Sequence, residues 1–560
     1  MNDPRLRIDR SAAVLGLVLV IGASARYVTG LGHVLDPMMS MDPYYIDMAQ
    51  RPVAEILHGD PSWGPLYALW LKPFVALLRD PLRVYLANVC VLSVAVCVAL
   101  YAHLLLVARR AAVAAAGSLL FLISDWNVPL DSKVSGFALL VVVAGFAAAK
   151  SAPAGARRMT LASAGVLCAS YARPELFAAA LLLLAATVWL ARREAREAGR
   201  AIFAWPLALS IAFLAAAAWT GVPVLARGEG NDRLLFAFQE HFAWNWNRWH
   251  RAHAPLFSIW QQEFGAADTM LRAALSNPGA VAHHVGDNVL GTLGVLASSA
   301  FDHYPLLAPV TRPRWVAAEN LLVCAGALVT IVAVAARGES RRVLREQYGD
   351  TLFAYAAVGM VCAVAAALVF PAPHYLALPC VLLMLTAALA VSVLVPAESG
   401  LSFGGRALVA LACLAAIPRP FVVPAADGVA GTPLTGRIVV TRTVTDTVEF
   451  VRGLYLPVPV HVLTATDGIG ALLGSGFDEV RLWQKGNAPL DAYMRARDVG
   501  LVINLEGGRD SFRVDDPAWG RFQLSPEEAG FTRLSVPRHE AIGVYVRDDL
   551  LAQAHRGATP

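Results

Sequence analysis

Three carboxylates stand close together early in the chain, in Asp36-Pro37-Met38-Met39-Ser40-Met41-Asp42-Pro43-Tyr44-Tyr45-Ile46-Asp47-Met48-Ala49, which runs on to Trp63-Gly64-Pro65-Leu66-Tyr67. A carboxylate such as Asp36, Asp42 or Asp47 can take a proton from a hydroxyl nucleophile. Neighbouring tyrosines such as Tyr44 and Tyr45 offer a ring face and a hydroxyl to a polar ligand. Further acids and cations stand in similar places: Asp131 and Lys133, Arg173-Pro174-Glu175, and His374-Tyr375. Fixed cations stabilise a group that gains negative charge as a bond breaks. All of these residues lie where long apolar runs end, so the elements that must position them are apolar ones.

Composition supports that. Hydrophobic residues make up 57% of the 560 and charged residues only 16%, against about 25% charged in soluble domains. The chain reads as a polytopic α-helical membrane protein with the lipid bilayer as its main partner. A net charge of +4 is small for this length and gives no reason to expect a nucleic acid. All seven cysteines fall within apolar runs, so no disulfide framework or cysteine metal site is implied.

The runs cover roughly 11–31, 82–108, 111–124, 133–150, 158–174, 175–192, 202–222, 316–336, 351–370, 374–396 and 406–423. Most are near the ~20 residues a helix needs to span hydrocarbon, giving about eleven transmembrane helices. Basic residues then orient them. Arg5, Arg7 and Arg10 precede the first run; Arg109 and Arg110, then Lys150, Arg157 and Arg158, then Arg192, Arg193, Arg196 and Arg200, then Arg337, Arg341, Arg342 and Arg345 fill every second connection. The expected topology has a cytoplasmic N-terminus and an extracytoplasmic C-terminus, in the cell (inner) membrane. Arg51, Lys72, Arg79 and Arg83 run against the rule and call for partners. Arg5 to Arg10, the apolar stretch that follows and Ala23-Ser24-Ala25 also fit a cleavable signal, although the apolar run continues past Arg26 to Leu35.

On this topology the outward loops are about 32–81, 125–132 and 224–315, joined by Arg173-Pro174-Glu175 and Pro371-Ala372-Pro373-His374-Tyr375. Polar groups this close to hydrocarbon are costly unless paired or facing a water-filled cavity, which makes them functional candidates.

Together these residues resemble the GT-C superfamily of integral-membrane glycosyltransferases, which take a sugar from a polyprenyl-phosphate carrier and include protein O-mannosyltransferases, the lipid A aminoarabinose transferase and mycobacterial arabinofuranosyltransferases. Met41-Asp42-Pro43-Tyr44-Tyr45 is similar to that family's acidic motif after the first span. Trp63-Gly64-Pro65-Leu66-Tyr67 is similar to its Pro-Leu-aromatic element, Arg173-Pro174-Glu175 to an Arg-Pro-Glu element, and His374-Tyr375 to a basic-Tyr pair opening a late span. Many relatives carry two adjacent acids where this chain has Met41 beside Asp42.

The resemblance implies an inverting transfer. Asp42 would act as base on the acceptor hydroxyl while it attacks the face opposite the leaving phosphate. Lys133, Arg173 and His374 would bind the donor phosphate, and Tyr44, Tyr45, Glu175 and Tyr375 the substrates. Asp36, Asp47 and Asp131 are secondary acids. No cofactor is required, a divalent cation remains possible, and the partners are a polyprenyl-phosphate-linked sugar and an extracytoplasmic glycan, lipid or protein.

Plainer roles stand beside these. Asp36 before Pro37 can start a turn, Asp47 points away from Asp42 on a continuous helix, and Arg173 can anchor its span end with Glu175 as partner. His241, His250 and His253 lack a third metal ligand of known position. Phe242, Trp244, Trp246 and Trp249 read as an interfacial aromatic belt on amphipathic helices at the membrane.

Past a transmembrane region of residues 1–430, composition turns soluble. Strand-like Val460-His461-Val462-Leu463, Val480-Arg481-Leu482-Trp483 and Val499-Gly500-Leu501-Val502-Ile503 alternate with helix-like stretches, as in a small α/β unit. Residues 437–560 are therefore expected to form an extracytoplasmic α/β domain. Gly468-Ile469-Gly470 suggests a dinucleotide fingerprint, but the third glycine falls one place late at Gly474, which favours a tight packed turn. The rival function is a transporter or lipid flippase, which calls for mid-span ionisable residues and inverted repeats; an inactive scaffold is a third reading. Charges are nearly absent from mid-span and no repeat is found, which favours the enzyme.

Overall fold

A computed structural model describes residues 9–33, 35–37, 42–59, 64–128, 132–198, 204–223, 233–252, 254, 256–299, 314–394, 429–432, 436–439, 442–464, 468–481, 488–505 and 517–557. Met41, Trp63, Asp131, His253 and the expected span 406–423 lie outside them.

The apolar part folds as α1 (Arg10–Val28), α2 (Asp42–Gln50), α3 (Val53–His58), α4 (Pro65–Leu78), α5 (Pro81–Ala108), α6 (Ala111–Leu122), α7 (Lys133–Ser151), α8 (Ala156–Ser170) and α9 (Leu176–Ala198). It continues with α10 (Ala204–Thr220), α11 (Arg233–His250), α12 (Leu256–Phe264), α13 (Met270–Ser276), α14 (Pro278–Ser299), α15 (Arg314–Ala336), α16 (Gly338–Leu368) and α17 (Pro373–Leu394). Six of these, α1, α5, α7, α9, α16 and α17, are long and apolar enough to cross a membrane. The chain is a multi-pass helical membrane protein, with six such helices among the described residues where the sequence suggests about eleven. Part of the difference is length. At 1.5 Å per residue, the 12 residues of α6 extend only about 18 Å, short of the ~30 Å of hydrocarbon. In addition, the side chains of α15 are described only from Ala325, and the run 406–423 lies outside the described residues.

Helix starts follow from local chemistry. Asp80 accepts a hydrogen bond from the Arg83 amide at 3.1 Å, and Pro81 at the first helical position needs no donor partner, so α5 begins there. Asp9 caps α1 in the same way. Between spans, small residues allow close approach: a Cβ added to Gly145 of α7 would lie 2.7 Å from the Gly165 Cα of α8.

Two expected loops contain more structure than their polarity suggests. The 32–81 stretch holds α2, α3 and α4, and two of the basic residues there find partners: Arg51 pairs with Asp47 at 2.9 Å, and Lys72 donates to the Ala49 carbonyl at 3.3 Å near the end of α2. The 224–315 stretch holds α11 to α14, and α14 packs on α15, α16 and α17. The aromatic belt expected there is instead a small core. Phe242 and Trp246 are buried with Phe238, Trp260 and Phe264, and Trp249 donates to Asp287 at 2.6 Å, which leaves Trp244 exposed.

The C-terminal part holds β1 (Val429–Thr432), β2 (Gly436–Val439), α18 (Thr443–Arg452), β3 (Val460–Thr464), α19 (Ile469–Leu473), β4 (Phe477–Arg481), α20 (Leu490–Ala496), β5 (Val499–Asn504), α21 (Pro517–Leu524), β6 (Phe531–Val536), β7 (His539–Arg547) and α22 (Asp548–Gly557). Its five-stranded sheet has the order β4-β3-β5-β7-β6. β3 is parallel to β4 and β5, and β7 is antiparallel to β5 and β6. Every residue of β5 is buried, as a central strand covered on both faces requires. The glycine turn is filled from within. Glu479 accepts from the Gly468 amide at 2.8 Å and the Gly470 amide at 3.1 Å, where a dinucleotide site would present those donors to phosphate.

Candidate functional site

The acid-rich stretch, the Gly-Pro-Leu-Tyr element, the Arg-Pro-Glu turn and the His-Tyr pair meet at one end of the helices. Asp42 opens α2 and is 1% exposed. One and two turns along, Tyr45 and Ala49 are fully buried. Tyr45 meets Tyr67 of α4 edge-on at 5.0 Å and Tyr44 at 5.7 Å. Asp42 lies within electrostatic range of Tyr67. The Tyr67 hydroxyl accepts from Asn88 at 2.8 Å, and Asn88 accepts from the Trp70 indole at 2.7 Å, which fixes the rings. Phe137 of α7 closes this wall at 5.5 Å from Tyr67 and 5.3 Å from Trp70.

Gly64 joins the elements. Its φ of +67° is the left-handed conformation that glycine adopts at low cost. A Cβ there would lie 2.8 Å from the Ala172 carbonyl and 3.1 Å from the Tyr45 hydroxyl. The Leu66 amide donates to the Tyr171 carbonyl at 3.1 Å, so the start of α4 is bound to the turn between α8 and α9. Arg173 follows in that turn. It is 5% exposed, donates to Glu175 through Nε at 2.6 Å and to Ser135 Oγ at 2.7 Å, and lies 4.6 Å from the ring centre of Tyr375. His374, half-buried, packs on Tyr375 at 4.4 Å. Lys133, 4% exposed, starts the helix that carries Ser135 and donates to the Val128 carbonyl.

The secondary acids separate. Asp47 is half-exposed on another side of α2 and pairs with Arg51. Asp36 accepts from the backbone of α18 in the C-terminal part. Asp131 is outside the described residues. Among those residues no group of three His, Cys, Asp or Glu could hold a metal ion; His241 stacks on Phe370 and His250 on Trp246. Three supporting residues were missed in the sequence: Asn88, Trp70 and Ser135. Asn88 carried a signal, since it is a lone amide inside an apolar run, where a polar group needs a partner.

Behind this end, a cleft of about 380 Å³ runs between α5, α6 and α17, with an apolar lining that includes Leu104, Ala116, Phe121, Met384 and Ala388. Phe121 also lines the small pocket that holds Lys133, Trp126 and Ser93. The arrangement thus combines a buried carboxylate beside phenol rings, buried cations and an apolar channel next to one of them. No protein-family model matches the chain, and no curated protein matches it.

Proposed function

We propose that this chain is a glycosyltransferase of the cell membrane that moves a sugar from a polyprenyl-phosphate donor to a hydroxyl of an extracytoplasmic acceptor. What supports the reading is the run of contacts that joins four elements far apart in sequence: α2 with its buried Asp42, residues 64–67, the 173–175 turn and the 374–375 pair. The same four elements carry the resemblance to GT-C enzymes. Asp42 takes the proton as the acceptor oxygen attacks the anomeric carbon. The bond from that carbon to the phosphate oxygen breaks on the opposite face, and its electron pair leaves with the lipid phosphate, so the configuration inverts. Lys133, Arg173 and His374 are the cations that would stabilise that charge. The apolar cleft is suited to the isoprenoid tail.

The test uses the purified full chain in lipid nanodiscs with a panel of polyprenyl-phosphate sugars, measuring release of polyprenyl phosphate. Asp42→Asn keeps size and most hydrogen bonding but removes basicity, so release should fall by ~10²–10⁴ while donor binding persists. Asn caps a helix about as well as Asp, so a merely capping Asp42 would leave release near wild type. No release by the wild-type protein from any donor would sink the reading.

A further inference from the structure

We infer that α18 of the C-terminal part is a clamp on chain segment 36–80, and that Asp36 is a positioning residue for the helix that bears Asp42. The helix is held at both ends by acids of the membrane part. At its start, Asp36 accepts from the Val444 amide, the Thr445 amide and the Thr445 hydroxyl, each at 2.8 Å. Those amides are the donors that a helix leaves unsatisfied at its N-terminus, and a carboxylate there also meets the positive end of the helix dipole. Such a cap usually comes from the residue just before the helix. Here that residue is Arg442, which makes no side-chain cap, and the acid arrives from more than 400 positions away. At the other end, Arg452 donates to Asp80 at 2.7 Å and to the Leu473 carbonyl at 3.1 Å.

Asp36 and Asp80 bracket the segment that carries Asp42, Gly64 and Tyr67. Ten residues of helix span about 15 Å, so α18 fixes the separation of the segment's two ends. Two further contacts reinforce the hold. α2 packs against α19 of the C-terminal part, and Leu82, just past Asp80, is buried in that part's core with Val448 and Val451 of α18. This clamp is independent of the chemistry proposed for Asp42. It gives the C-terminal part a role that its own sheet does not suggest: ordering the floor of the candidate site.

Hydrogen–deuterium exchange on the full chain in nanodiscs tests it. Asp36→Ala should speed exchange of the 42–50 amides by about ten-fold, the equivalent of one lost cap, and Asp36→Asn, still a good acceptor, should restore most of the protection. Arg452→Met keeps the aliphatic stem, releases the other end and should speed exchange across 64–78. A role confined to capping α18 would speed exchange at 443–446 alone. The clamp is refuted if 42–50 in Asp36→Ala and 64–78 in Arg452→Met both stay within about two-fold of wild type. Should Asp36→Ala fail to fold, Arg452→Met decides by the same criterion.

Discussion

Helices α7, α8 and α9 carry charged groups at both ends, and the two ends are built differently. At one end Arg158 meets Asp350 at 3.6 Å with side chains 17% and 31% exposed. There Glu194 accepts from the Ala156 amide at 2.8 Å, Asp350 from the Gly155 amide at 3.4 Å, and Lys150 donates to the Gln347 carbonyl at 3.2 Å. Those charges cap α8 and tie it to α9 and α16, which is work that folding alone explains. At the other end Arg173, Lys133 and Asp42 are each at most 5% exposed and lie among rings. Desolvating a charge costs several kcal/mol that pairing only partly returns, and well-packed apolar residues would hold the helices as well or better. The buried end is therefore the one whose residues call for a reason beyond stability.

That contrast breaks most sharply on two arginines. Arg173→Ala leaves Glu175 half-buried without its cation, and breaking a buried pair costs about 3–5 kcal/mol. Arg158→Ala removes a partly exposed pair worth at most about 1 kcal/mol. Thermal unfolding in detergent should separate the two variants clearly, and equal losses would erase the distinction between the ends. The variant that reads donor binding without this penalty is Arg173→Lys, which keeps the charge but not the planar fork that reaches both Glu175 and Ser135.

The sequence makes the apolar framework legible, because ten of its eleven runs fall on helices and the three strands expected in the C-terminal part lie within three residues of β3, β4 and β5. It also singles out the Arg-Pro-Glu and His-Tyr elements, since charges beside hydrocarbon need a partner, and Arg173 and Tyr375 meet. What it hides is non-local. Asp36 looks like the start of a turn because its partners Val444 and Thr445 come from the far end of the chain. The short Pro65–Leu78 helix is masked by Lys72 and Pro73. The role of α14 is masked by His283, His284 and Asp287, which lower its hydropathy although His284 is fully buried. The β6–β7 hairpin shows no strong turn signal beyond Pro537-Arg538.

Acid should sharpen the contrast through α14. His284 is hydrogen-bonded to the Val369 carbonyl at 3.0 Å and to Asn245 at 3.0 Å, and Asn288 donates to the same carbonyl, so the network holds the chain just before His374 and Tyr375. Burial pushes His284 down to about 4, and it does the same to His241, beside which His284 adds a second positive charge on protonation. Both folded-state values lie below the ordinary value near 6.5, so the unfolded chain binds more protons between the two. The stability these rings contribute is complete above pH 6.5 and is lost as pH falls toward 4. By pH 5 the loss should reach about 2 kcal/mol for each ring. Exchange of the 369–376 amides should quicken between pH 7 and pH 5; a flat profile would show that neither ring is held neutral.

The smallest effect is expected at Asp47, and it is the closest control for Asp42. Both acids lie on α2, but five residues turn a helix by about 140° beyond a full revolution, so one faces the protein while the other faces outward. Asp47 retains 47% of its side-chain exposure and has Arg51 one turn along at 2.9 Å, a surface pair worth only about 0.3–0.5 kcal/mol. Asp47→Asn should therefore shift unfolding by no more than about 0.5 kcal/mol and leave polyprenyl phosphate release within about two-fold of wild type. The same substitution at Asp42 removes a group that water does not screen and that lies within electrostatic range of Tyr67. If Asp47→Asn proved as inactive as Asp42→Asn, burial would not be what distinguishes the two acids, and the reacting group would have to be sought on the open side of α2.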